Sequence, residues 1–516
     1  MHLDENRNLT PGRVAQVLFG LDPDRDERAP QLCAETLLTL AQNRYRAPAS
    51  RDELRSPKRQ RFALRSLALA TNFLAGREGR AGEDNMTPNL YGKLLASGSD
   101  VRNSANLALA QSALQGLVDP DTQRGQPGAW LLRPFHESLL WYDARKAPSR
   151  PDWTVRKVYM RGSGITLARL LLAPTDPKAA EQGAHAVSAI REALTGPSPL
   201  ADISRRLESA LQTDVPFTTK TPDTEEDEKE AWERGEDELL QPLAASLCRH
   251  AEGVMCQGSA SGPAKLWQLR TILALDLAVH ALRVAWDATS TPEEDRFLLL
   301  SFGGGPRAQD RVRQRSEESY RRARIRLNEA TISTVARIMR QLVERKTVVW
   351  ADEFENRRNK LDGEKGPDGL LHQLTKLTTR SADDEYLRLA RTSVESANYG
   401  RAEDGFRVLL ESVGLVAGTR YRYLTATPDL LAALVGALSS RMPMPSNEFF
   451  AAVRQEWGLV INQESAASTS LRGQVDGAGL ERNARRAERL MSEAGLALSL
   501  SDRTTVVGER AQRRSM

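Results

Sequence analysis

Cysteine is nearly absent: the 516 residues hold three, Cys33, Cys248 and Cys256. That is too few for a disulfide framework, and an odd count fits a reducing compartment. Aromatic residues make up only 5% of the chain. The helix formers Ala, Leu and Arg are abundant, so the composition leans towards helix; a GC-rich genome is the blander source of the same bias. A long apolar run is missing as well. The nearest approach, Leu266 to Trp286, is interrupted by Arg270, Asp276, His280 and Arg283, whereas a membrane span needs ~20 predominantly apolar residues. It reads as a buried helix, and no membrane partner is expected. Met1-His2-Leu3-Asp4-Glu5-Asn6-Arg7 starts no apolar signal segment, so the expected location is the cytoplasm.

Complete catalytic motifs are missing too. No Walker sequence and no Gly-x-Ser-x-Gly elbow occurs, which argues against P-loop ATPases and α/β-hydrolase nucleophiles. Two glycine loops precede helices: Arg161-Gly162-Ser163-Gly164, after a strand predicted from Val155 to Met160, and Gly303-Gly304-Gly305-Pro306-Arg307. Backbone N–H groups there could cradle an anion. Neither loop completes a P-loop or a dinucleotide fingerprint, so a plain turn is expected for each. Cys248, His250 and Cys256 lack a standard metal spacing and a fourth ligand, and read as buried helix residues. His136, His185, His280 and His372 are isolated. Asp352, Glu353 and Glu355 with Lys360 are the only stretch with the flavour of a metal-dependent nuclease. No catalytic residue, metal or cofactor is assigned, and a non-enzyme is expected.

What is present is ordinary in bulk and uneven in detail. Hydrophobic content of 40% and charged content of 27% are globular values, and the net charge is +4, so charge matters only through its distribution. The expected fold class is mainly α, a multi-domain helical protein with short β elements and C-terminal winged-helix-like modules. The pattern divides into a helical region 1–150, a small strand–helix region 151–215, an acidic linker 216–240, a helical region 241–400, tandem winged-helix-like units 401–508 and a polar tail 509–516. Thr10-Pro11 opens a first helix, and further helices are predicted at 29–43, 60–76, 103–117 and 177–213. From Asp223 to Glu238 ten of sixteen residues are acidic; such blocks repel themselves and read as a solvated linker or an exposed helix start. A sharper alternative is an acidic segment that folds onto a basic helix.

That basic helix belongs to a pattern running from Ala308 to Lys346. Eight arginines lie between positions 307 and 326, namely Arg307, Arg311, Arg313, Arg315, Arg321, Arg322, Arg324 and Arg326, against three acids. Its second half carries a packing seam, Ile325, Ile332, Val335, Met339 and Leu342. The first half offers only Val312 and Tyr320 as large apolar residues, so its charges need an answer from outside. Arg suits bidentate phosphate contact. At about 100° per residue, Arg311, Arg315 and Arg322 share a face, with Arg326 following; Ser316, Ser319 and Tyr320 are candidates for neutral phosphate contacts. The bland alternative is internal pairing with Glu317 and Glu318.

The C-terminus repeats the theme. A helix and a possible wing, Thr419-Arg420-Tyr421-Arg422-Tyr423-Leu424-Thr425, are followed by helices near 428–438 and 446–457. A last helix, Leu480 to Ala494, stops at Gly495 before two strands, the order of a winged-helix module's recognition helix and wing. It carries Arg482, Arg485, Arg486 and Arg489, where such a helix docks in the major groove. Together the Arg-Gly-Ser-Gly loop, the Gly-Gly-Gly-Pro-Arg loop and this C-terminus resemble accessory, non-catalytic proteins of bacterial phage-defence islands. The resemblance implies a DNA-binding or assembly subunit of a bacterial antiviral system, working beside products of neighbouring genes. A scaffold docking on a partner ATPase or methyltransferase is the alternative, and an unrecognised metal-dependent nuclease the second.

Overall fold

The computed structural model describes residues 11–22, 28–55, 116–122, 131–140, 144–146, 153–155, 159–197, 202, 222–258, 260–303, 307–344, 382–394, 401–439, 442–501 and 504–508. Within them the protein is mainly helical with a few short strands. The helix predicted at 60–76, residues 103–115 of the helix predicted at 103–117, the Asp352–Lys360 stretch, His372 and the polar tail lie outside the described residues.

The core is assembled around α7 (Gly262–Ala288), whose stretch from Leu269 to Leu282 is buried on every side. A helix that is apolar all round belongs in a protein interior. Against it pack α2 (Ala29–Gln42), α4 (Pro177–Thr195), α6 (Gln241–Met255), α8 (Arg311–Glu344), α10 (Arg401–Ser412) and α11 (Pro428–Ser439). One contiguous apolar cluster runs from Ala15, on α1 (Pro11–Phe19), to Val507, so the regions read from the sequence share a core. Each polar residue interrupting α7 is answered. Arg270 reaches Asp119 and Asp121. Asp276 accepts from His250 Nδ1 at 3.0 Å and Trp457 Nε1 at 2.7 Å. His280 Nε2 bonds the Phe19 carbonyl at 2.9 Å, and Arg283 the Glu456 carbonyl at 2.6 Å. Among the described residues no helix is long and apolar enough to cross a membrane.

Local signals set the helix ends. Asp176 caps α4, accepting from Ala179 N at 2.7 Å with Pro177 behind it, and Asp476 caps α14 (Gly477–Glu493), satisfying N–H groups no helix can pair internally. Of the strand expected over Val155–Met160, Val155 ends β2 (Trp153–Val155), antiparallel to β1 (Ala144–Lys146), residues 156–158 lie outside the described residues, and Tyr159–Gly162 is a turn with positive φ at Met160, Arg161 and Gly162. The acidic stretch is helix α5 (Pro222–Arg234), whose Ala231 and Trp232 are buried in the core. Among its acids Glu226 and Glu233 pair with Arg51, and Glu236 just after it pairs with Arg169.

The C-terminal part runs α10, a hairpin of β4 (Val416–Ala417) and β5 (Tyr423–Leu424), α11, β6 (Met444–Pro445), α12 (Ser446–Trp457), β7 (Leu459–Val460), α13 (Gln463–Ala466), α14, β8 (Ala497–Ser501) and β9 (Thr504–Val507). Strand β9 lies between β6 and β8, antiparallel to both. Strand β7 pairs in parallel with β3 (Leu298–Leu299), tying this part to the rest.

Candidate nucleic-acid interface

The first half of α8 does have a packing seam, built from small residues. Val312, Ser316, Ser319, Tyr320, Ala323, Leu327 and Ala330 are all buried at helical spacing. Ser316 Oγ accepts from Leu424 N at 2.8 Å and donates to Leu424 O at 3.0 Å, while Ser319 Oγ accepts from Leu299 N at 3.1 Å. The serines close the unpaired sides of β5 and β3, as buried backbone groups require. Ser316, Ser319 and Tyr320 are therefore withdrawn as phosphate contacts. Counting only large apolar side chains hid this seam; the Ser/Ala positions three and four apart were its signal. The second-half seam holds at Ile332, Val335 and Met339, whereas Ile325 is 46% exposed and Leu327 replaces it inside. Leu342 lies where side chains are not described.

Most of the α8 arginines are answered by acids close by. Arg307 Nε bonds both oxygens of Glu317 at 2.9 and 2.8 Å, and Arg313 lies 3.8 Å from the same carboxylate. Arg315 pairs with Glu318 at 2.5 Å, Arg322 with Asp295 at 3.3 Å, and Arg326 with Glu329 at 2.8 Å. Arg324 pairs with Glu403, whose carboxyl burial pushes up and Arg324 pulls back down. Only Arg311 and Arg321 of the eight have no acidic partner among the described residues. Of the predicted Arg311–Arg315–Arg322 face, two members are thus already neutralised.

On α14 the balance is reversed. Leu480, Asn483, Ala484, Ala487 and Met491 are buried; Arg482, Arg485, Arg486 and Arg489 are exposed. At about 100° per residue the four arginines fit an arc of about 100° on the side opposite the buried face. Arg485 lies 3.5 Å from Glu481, and the other three have no acidic partner among the described residues. The helix is held from within by Asn483, whose Nδ2 donates to Leu300 O and Ile461 O, both at 2.9 Å, and whose Oδ1 accepts from Phe302 N at 2.8 Å. Nothing in the local sequence marked this asparagine, because its three partners come from two distant strands. A Cβ at Gly303 would meet the Asp310 carboxylate first and lie 3.1 Å from Arg486 Nη1, so Gly303 lies against this arginine face.

The other glycine loop is occupied by the protein itself. Gly164 N, in the first turn of α3 (Ser163–Leu172), donates to the buried Glu35 carboxylate at 2.9 Å. Arg161 Nε binds Asp22 at 2.8 Å. A carboxylate takes the place a phosphate would occupy at that helix N-terminus. Gly164 is required because a Cβ would lie 2.7 Å from that of Glu35.

The cysteine–histidine cluster is dispersed. Cys248 is buried, its thiol pushed up to about 12 by that burial, and Cys256 is exposed. His250 is buried between Asp276 and Glu456, its Nε2 lying 3.4 Å from Glu456. His185 Nδ1 lies 2.8 Å from Glu252, and His136 is buried. Among the described residues no group of three or more His, Cys, Asp or Glu could hold a metal ion. No protein-family model matches the chain. A comparison with curated proteins likewise finds no match.

Proposed function

We propose that the protein is a non-enzymatic DNA-binding or assembly subunit that contacts the phosphate backbone of a duplex through the outer face of α14. The observation that carries this is the set of four exposed arginines on one arc of α14, of which only Arg485 forms an ion pair among the described residues. Four pairs among them are three or four residues apart. Each like-charge pair costs about 0.2–0.5 kcal/mol on a helix; Glu481, Glu488 and Glu493, three or four residues from Arg485 or Arg489, offset part of that, leaving a positive excess that a polyanion would relieve. The order α11–β6–α12–β7–α13–α14–β8–β9, with β9 between β6 and β8, supports a winged-helix reading in which α14 is the recognition helix. The weight moves away from Arg307, Arg313, Arg315, Arg322 and Arg326 because acids already engage them. The antiviral setting implied by the resemblance belongs to this proposal, and the identity of neighbouring genes tests it.

Affinity for a 20-base-pair duplex of arbitrary sequence, measured against salt, is the experiment. Neutralising Z phosphates gives a slope of about −0.9Z. Replacing all four α14 arginines by alanine should weaken binding and flatten the slope by about 3–4 units. The Arg311, Arg315 and Arg322 triple alanine variant should change it by about one unit. An unchanged slope in a folded α14 variant retires α14 as the contact.

A further inference from the structure

The hairpin between β4 and β5 ends in an exposed aromatic residue set among arginines. Tyr421 is 47% exposed in a chain with few aromatic residues. The guanidinium of Arg307 lies 4.2 Å from its ring centroid and that of Arg420 5.5 Å. Behind it Arg313 lies 4.3 Å over Tyr423.

The tip is held rigidly. Leu424, at the root, is bonded on both backbone sides by Ser316, and its carbonyl also accepts from Ser301 N at 2.8 Å. Arg422 is held by Glu411 at 3.2 Å. Gly418 turns the chain at a φ of +85°, and a Cβ there would lie 2.6 Å from the Tyr421 carbonyl oxygen. Arg307 bonds Glu317 through Nε alone, leaving its two Nη groups without an acidic partner among the described residues.

An aromatic face flanked by arginines suits an unpaired base, because every base has a π-face and the adjoining phosphates are anionic. Rigid presentation lowers the ordering cost of such a contact. The position also fits. Arg307 is separated from Gly303 by three residues, at most about 14 Å of chain, and Gly303 lies against Arg486 of α14. The hairpin tip and the α14 arginines therefore flank one short loop.

We infer that Tyr421 is a stacking platform for an unpaired nucleobase, with Arg420 taking a neighbouring phosphate, so that the preferred ligand is a duplex with a single-stranded extension. This rests on the DNA reading of α14 and is separable from it.

The test compares a blunt 20-base-pair duplex with the same duplex bearing a six-nucleotide thymidine overhang at either end polarity. With the wild-type protein one overhang polarity should tighten binding about tenfold or more, the scale of base–aromatic stacking. Tyr421→Ala should lose that increment and keep blunt-duplex affinity, while Tyr421→Phe retains the increment. With 5-iododeoxyuridine in the overhang, photocrosslinking should map to Tyr421. An overhang that adds nothing, or an increment that survives Tyr421→Ala, overturns the platform and leaves the α14 reading standing. Blunt-duplex binding indifferent to the α14 arginines, with a Tyr421-dependent overhang increment, sinks the α14 reading and keeps the platform.

Discussion

Lowering the pH from 7 to 5 should destabilise the protein through one buried imidazole, His280. Burial in α7, with Arg283 close by, depresses its pKa from 6.5 to about 4, although its hydrogen bond to the Phe19 carbonyl pulls the other way. A group with a depressed folded pKa binds fewer protons in the native state, so its contribution is present above pH 6.5 and is lost as pH falls towards 4. Between pH 7 and 5 the unfolded imidazole takes up most of one proton and the folded one very little. At about 1.36 kcal/mol per pKa unit, the loss over that interval is about 2 kcal/mol. His280→Gln supplies an amide donor for the Phe19 carbonyl and cannot take up a charge. Urea denaturation followed by the fluorescence of the eight tryptophans gives the stabilities of both proteins at pH 7 and pH 5. The variant should lose about 2 kcal/mol less than wild type over that interval, with every shared carboxylate and histidine cancelling in the comparison. Parallel losses in the two proteins would refute the assignment of this acid limb to His280.

His250 acts in the opposite direction. Burial lowers its pKa, but Asp276 and Glu456 more than offset this and leave it raised, so its contribution is full below pH 6.5 and declines as pH rises through the folded value. His250→Ala, which removes the ionic partner of buried Asp276, should cost about 3–5 kcal/mol at pH 6 and less at pH 9, measured by denaturation midpoints. Asn483→Leu strips partners from Phe302 N and from two strand-end carbonyls. Each unsatisfied buried group costs about 1–3 kcal/mol, so a loss of at least about 2 kcal/mol should appear; a loss under about 1 kcal/mol would show that water replaces the amide without penalty. Glu35→Ala empties the carboxylate site at the start of α3, and added phosphate should then raise the melting temperature of the variant more than that of wild type. Equal phosphate responses would indicate that the site closes without its carboxylate.

Helix α2 and the last helix, hairpin and strands were legible in sequence because their signals are local. Pro177 after Asp176, Gly414, Gly495 and the β-branched run Thr504–Val507 act within a few residues of themselves, through backbone preferences that hardly depend on the fold. The α7 stretch was legible because so long an apolar run, even with four polar interruptions, has one place to go. The α8 seam was half legible: Ile332, Val335 and Met339 announce themselves by size, whereas Ser316 and Ser319 are buried only because β5 and β3 bring unpaired backbone groups to meet them.

Which arginines are engaged was decided by tertiary structure alone. The sequence by itself determined that α8 and α14 are arginine-rich helices and that Glu317 and Glu318 lie within reach of the first. It held no sign that Asp295 would meet Arg322, that Glu403 would meet Arg324, or that Glu35 would cross 129 positions to fill the α3 N-terminus. An ion pair depends on which surfaces pack side by side, and that is set by burial of apolar faces rather than by the charges themselves. Packing placed acids beside α8 and left three of the four outward arginines of α14 without an ion pair among the described residues.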